Sequence, residues 1–154
     1  MSPVLDERHD LAHPVEGDEA WSESYYFNAY DPDADVGFFT RIGVRPNEGT
    51  MDVGFSVWIP GGGLATVRGI REQHEMTDTE LEVAGVRYER VAPMREWRLL
   101  VDADSDHGPV GAEVTFRSLM PAIGADGQGR AGAGASDATR PRNSADESVS
   151  PFRM

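Results

Sequence analysis

WSESYYFNAYDPDADVGFFTRIGVRPNEGTMDVGFSVWIP, residues 21–60, holds three runs in which side-chain character alternates every second residue, the period of a β-strand. In the first, Tyr25, Phe27 and Ala29 point one way and Ser24, Tyr26, Asn28 and Tyr30 the other. Both faces carry aromatics, which predicts cover on both sides. Asp31-Pro32 ends the run, because proline cannot donate to a ladder and aspartate caps the turn. In the second run Phe38, Thr40, Ile42 and Val44 oppose Phe39, Arg41, Gly43 and Arg45. RPNEG, residues 45–49, is a turn with proline to preset φ and glycine to permit reversal. The third run alternates most regularly, Met51, Val53, Phe55, Val57 and Ile59 against Asp52, Gly54, Ser56 and Trp58, so the last two runs predict an antiparallel hairpin.

The same period continues outward. Residues 64–72 predict a fourth strand. Residues 81–84 and 86–91 flank Gly85 as two strands about a tight turn, or as one strand with a bulge. Residues 94–103 and 110–117 add two more. Seven or eight strands spaced about ten residues apart, with no long helix, indicate an all-β fold. Short connections favour an antiparallel up-and-down order, and about eight strands could close around one small ligand. Three segments follow: a polar N-terminal arm at 1–19, a β domain at 20–120, and a Gly/Ala/Ser-rich tail at 121–154, expected to be disordered because it has few large apolar residues to bury.

Composition excludes several chemistries. Cysteine is absent, which removes disulfides, thiolate catalysis and Cys-based zinc sites. All 14 basic residues are arginine, which removes a Schiff-base or P-loop lysine. The net charge is −13, and residues 1–121 carry all of it, with 23 acids against 10 arginines. Such a body repels phosphate backbones and anionic membrane surfaces, so nucleic acid is not an expected partner. No apolar run approaches the roughly 20 residues that span a bilayer. The N-terminus shows no signal pattern, and a cytoplasmic location is the default expectation.

Local motifs point to structure before chemistry. His9 and His13 could share a helix face, but Pro3, Pro14 and Gly17 favour a solvated arm. DPDAD, residues 31–35, alternates carboxylates as calcium loops do, yet lacks the glycine and distal glutamate of such a loop. The glycine-rich turn at 60–63 has neither a following helix nor a lysine to bind phosphate. His107 lies in a turn with no triad spacing around it. No metal site and no cofactor are expected.

Trp21 to Pro32, with Gly37 to Gly43 and Arg45 to Gly49, resembles the N-terminal part of bacterial proteins of uncharacterised function related to carotenoid 1,2-hydratase (hydroxyneurosporene synthase). Pro93 to Trp97 and Phe116 to Gly129 are similar to the same family, so the resemblance spans roughly residues 13–130. It implies a lipocalin-like barrel or half-barrel, usually one of two in tandem. This chain ends near where a second barrel would begin, and its last twenty or so residues do not resemble the family, as in a truncated or frame-shifted chain. A homodimer or partner lobe could then complete the barrel.

The expected function is binding of an apolar, isoprenoid- or lipid-like small molecule in the β-barrel, as one lobe of a longer two-barrel family. Tyr25, Phe27, Asn28, Tyr30, Phe38, Arg41 and Arg45 are the candidate ligand contacts, within a wall that also holds Tyr26 and Phe39. The resemblance implies an alternative, a hydratase or lyase acting on an isoprenoid double bond. That reaction needs a buried acid of raised pKa to protonate the alkene and aromatic faces to shelter the cation. Glu48 and Asp31 are the candidate acids. Each residue also has a plainer reading: a period-two aromatic stripe is ordinarily core, and a turn carboxylate is ordinarily solvated. Arg41 stands out because it sits mid-strand between Phe39 and Ile42. A third reading is a truncated remnant without function.

Overall fold

The computed structural model describes residues 5–61 and 63–122. The tail expected at 121–154 therefore lies, from residue 123 onward, outside the described residues. Eight strands follow one another: β1 (Glu23–Asp31), β2 (Val36–Arg45), β3 (Thr50–Ile59), β4 (Gly63–Glu72), β5 (Leu81–Val83), β6 (Val86–Ala92), β7 (Glu96–Ser105) and β8 (Gly108–Arg117). The only helical element among the described residues is a 3-10 turn at Glu7–Asp10. The fold is all-β and antiparallel, with each strand within two residues of its expected limits.

The strands form two up-and-down sheets, β1-β2-β3-β4 and β5-β6-β7-β8. They are not closed into a barrel, which corrects that part of the expectation. Closure needs a ladder between β4 and the second sheet. At that seam β5 has only three residues, and a side chain takes the place of a ladder. The Arg71 guanidinium donates to the Glu82 carbonyl at 2.8 Å and the Glu80 carbonyl at 3.0 Å. Farther along β4, Asp106 donates its N–H to the Thr66 carbonyl at 3.1 Å and accepts from the Thr66 N–H at 2.7 Å. The choice between two strands and one bulged strand at Gly85 resolves as two strands. Ala84 and Gly85 both have positive φ, 51° and 79°, the hallmark of a two-residue hairpin turn matched to strand twist.

The inner faces pack on one another. Ile42, Val44, Met51, Leu81 and Val86 are fully buried. Phe27, from the first sheet, meets Tyr88, Trp97 and Phe116 of the second at ring distances of 5.2, 5.5 and 5.1 Å. One polar contact crosses this layer. The Tyr88 hydroxyl lies 2.6 Å from Thr40 Oγ1, which itself donates to the Gly54 carbonyl at 3.0 Å. Because Thr40 has one hydroxyl proton, Tyr88 must be the donor of that pair.

The arm before β1 is tied down along its length. Asn47 donates to the Glu16 and Asp18 carbonyls at 2.8 and 2.6 Å, and Met94 N–H donates to Asp10 at 2.8 Å.

Candidate functional site

Register converts the outer face of the first sheet into a grid. Tyr26, Arg41, Gly54 and Arg68 are successive partners across β1 to β4. Two residues along one way lie Asn28, Phe39, Ser56 and Thr66, and two further lie Tyr30, Gly37, Trp58 and Leu64. On the other side of the arginine row lie Ser24, Gly43, Asp52 and Ile70. Nothing within the described residues covers this face. Tyr26, Tyr30, Phe39, Leu64 and Ile70 are 57, 56, 44, 49 and 68% exposed. This corrects the expectation that β1 is covered on both sides: only its Tyr25–Phe27–Ala29 side packs into the core.

Glycines shape this surface. A Cβ at Gly37 would run into the Trp58 ring, and one at Gly43 into the Arg41 guanidinium and Asp52. Their absence lets Trp58 and Arg41 lie down on the sheet. Trp58 stacks with Tyr30 at 6.1 Å and 30°, and the Tyr30 hydroxyl donates to Asp35 at 3.0 Å. Arg41 donates to the Ser24 hydroxyl at 2.9 Å and pairs with Asp52 at 3.2 Å. Asp52 also accepts from Arg45 at 3.0 Å, so one carboxylate serves two guanidiniums. Gly54 differs from these glycines, since a Cβ there would meet nothing within 4 Å. It floors an open depression of about 410 Å³ walled by Tyr26, Phe39, Arg41, Asp52 and Arg68, with the Ser56 and Thr66 hydroxyls at one end.

The residues expected to act together fall into three places. Tyr25, Phe27 and Phe38 face the packed interior. Asn28, Tyr30, Arg41 and Arg45 lie on the outer face. Asp31, the last residue of β1, and Glu48, in the turn between β2 and β3, lie at opposite ends of β2, about 30 Å apart for a ten-residue strand. Asp31 caps its turn, accepting from the Asp33 and Ala34 N–H groups at 2.9 and 3.2 Å. Glu48 is exposed and reaches Arg45 at 4.0 Å.

A half-buried polar cluster went unexpected. The Arg90 side chain is 8% exposed, pairs with Asp78 at 2.8 Å, approaches Asp10 at 3.7 Å and lies 5.0 Å over the Trp97 ring. Trp97 Nε1–H donates to the same Asp10 at 3.2 Å, and the Ala12 N–H donates to Asp78 at 3.0 Å. Burial alone would raise the Asp78 pKa, but the Ala12 N–H and Arg90 outweigh it and hold the carboxyl below the usual range. Burial, reinforced by Glu23 and Asp78, pushes the Tyr25 phenol up. That hydroxyl and Arg90 Nε are buried with no hydrogen-bond partner among the described residues. A phenol so disposed keeps its proton and is a poor acid. The cluster clamps the N-terminal arm onto the sandwich, and the signal for it was Arg90 falling in phase with Val86 and Tyr88.

His9 is engaged in a capping box with Asp6, and His13 lies 2.8 Å from Glu23. Among the described residues no three of His, Asp and Glu are placed to hold a metal ion, and no helix is long and apolar enough to cross a membrane. A larger depression, about 640 Å³, lies beside β5 and β6. Its two arginines are engaged, Arg71 with backbone carbonyls and Arg87 with Glu89 at 3.0 Å.

The chain belongs to the family described as a domain of unknown function (DUF7064), whose model matches residues 6–142. No curated protein and no solved structure matches it.

Proposed function

We propose that this DUF7064 member is a binding lobe that holds an apolar small molecule, isoprenoid- or lipid-like, against the outer face of its first sheet. The observation that carries this reading is the exposed grid of Tyr26, Tyr30, Phe39 and Leu64 around an open depression on the sheet. Contiguous exposed apolar side chains rimmed by polar ones mark binding surfaces. The interior supports the same choice from the other side. Where a lipocalin-like carrier needs a hollow, Phe27, Tyr88, Trp97 and Phe116 are in ring contact. The resemblance to carotenoid hydratase relatives supports the ligand class more than the reaction. Hydration requires an acid beside the bound alkene, and Asp31 and Glu48 stand on solvated turns away from the depression.

Farnesol, titrated into the full chain and followed by tryptophan fluorescence, tests this. Phe39→Ser should weaken binding about tenfold, the loss expected for one central apolar contact, with the denaturation midpoint near that of the wild type. Absence of farnesol binding, or affinity unchanged by Phe39→Ser, would overturn the reading.

A further inference from the structure

The arginine row adds a second element to that face. Arg41 and Arg68 flank Gly54 across three adjacent strands, so their Cα atoms are about 10 Å apart, with the bare glycine between them. Both arginines line the depression above it. Arg68 makes no hydrogen bond and no ion pair among the described residues, leaving its planar donor fork open. Arg41 is held in place by Ser24 and by Asp52, and Asp52 is already shared with Arg45. The walls of the depression thus carry two guanidiniums and one carboxylate, an excess of positive charge on a protein of net charge −13. A guanidinium fork matches a carboxylate in shape and charge.

We infer that the depression over Gly54 binds the carboxylate head group of an amphipathic ligand, received by Arg68 and by the charge of Arg41. The inference rests on the reading that the outer face holds the apolar body of that ligand. The geometry gives the body a direction. From the arginine row to the row of Tyr30, Trp58 and Leu64 is four residues along the strands, about 13 Å, with Phe39 in between. A linear chain of about ten carbons covers that length, its head on Gly54 and its end on Trp58. Ser56 and Thr66, 3.1 Å apart, supply hydroxyls beside the path.

The test compares dodecanoate with dodecan-1-ol, two ligands of one chain length that differ in head group, on the full chain at fixed pH and salt. The carboxylate should bind at least about tenfold more tightly, the gain expected from charge-assisted hydrogen bonds. Arg68→Gln should bring dodecanoate down to the level of the alcohol and leave the alcohol unchanged. Gly54→Val, whose added atoms start in open space, should weaken dodecanoate in the same way while the circular-dichroism spectrum is unchanged and the melting point does not fall. Equal affinity for the two ligands overturns the carboxylate site and leaves the apolar face standing. A preference for dodecanoate that survives both substitutions overturns the location. If neither ligand binds, the apolar-face reading falls first and the inference falls with it.

Discussion

The two sheets share a core and differ on their outer faces. On the second sheet the outer arginines are each paired with an acid: Arg87 with Glu89 at 3.0 Å, Arg98 with Glu113 at 2.7 Å, Arg117 with Glu96 at 3.0 Å. Val91 is its one large apolar side chain that is strongly exposed among the described residues, whereas the first sheet exposes five. The first sheet also leaves Arg68 without an acid and uses glycines to lay Trp58 and Arg41 flat. Surface ion pairs contribute about 0–1 kcal/mol each, so the second face reads as ordinary solvated surface. Exposing several aromatics on one face costs solubility, and it is this feature of the first sheet that the proposed binding role addresses.

That contrast can be broken at the inner faces first. If they serve folding and the outer face of the first sheet serves binding, the largest loss of stability comes from Trp97→Ala. It removes the ring that contacts Tyr25 and Phe27 and leaves Arg90 without its aromatic partner. Denaturant unfolding should show a loss of about 3–5 kcal/mol. A loss below that expected for an exposed aromatic would mean the sheets are not held by this layer.

A smaller effect is expected at the polar pin between the sheets. Thr40→Val removes the acceptor of the buried Tyr88 hydroxyl and a side-chain donor to the Gly54 carbonyl. The cost should be about 2 kcal/mol, within the roughly 1–3 kcal/mol expected for one orphaned buried hydroxyl. Tyr88→Phe leaves the Thr40–Gly54 bond intact and should cost about 1 kcal/mol. Equal costs would contradict the donor assignment.

The smallest effect separates fold from function at a single position. Gly54→Val should be neutral or stabilising by up to about 1 kcal/mol in thermal unfolding, because glycine weakens a strand and the added side chain meets open space. A large destabilisation would show that Gly54 is kept for packing.

The elements were legible because their causes are local. Alternation from Tyr25 to Trp58 and turn residues such as Pro46, Asn47 and Gly49 mark strands and reversals without knowledge of partners. Closure was not legible, since it turns on three-residue β5 and on Arg71 reaching carbonyls beyond its own strand. Period two also separates the faces of β1 without saying which is covered when both carry tyrosine. The candidate site needed more still. Arg41 drew notice for its place mid-strand, but its row with Gly54 and Arg68 exists only once three strands are in register. Asp10, Asp78 and Arg90 likewise meet across long sequence separations that no local pattern encodes.

The most direct test is chemical-shift mapping of the labelled full chain during titration with dodecanoate. Shifts should concentrate at Tyr26, Phe39, Arg41, Gly54 and Arg68, with Arg87, Arg98 and Glu113 on the opposite face silent. Shifts centred on Phe27, Tyr88 and Trp97 would place the ligand between the sheets and contradict it.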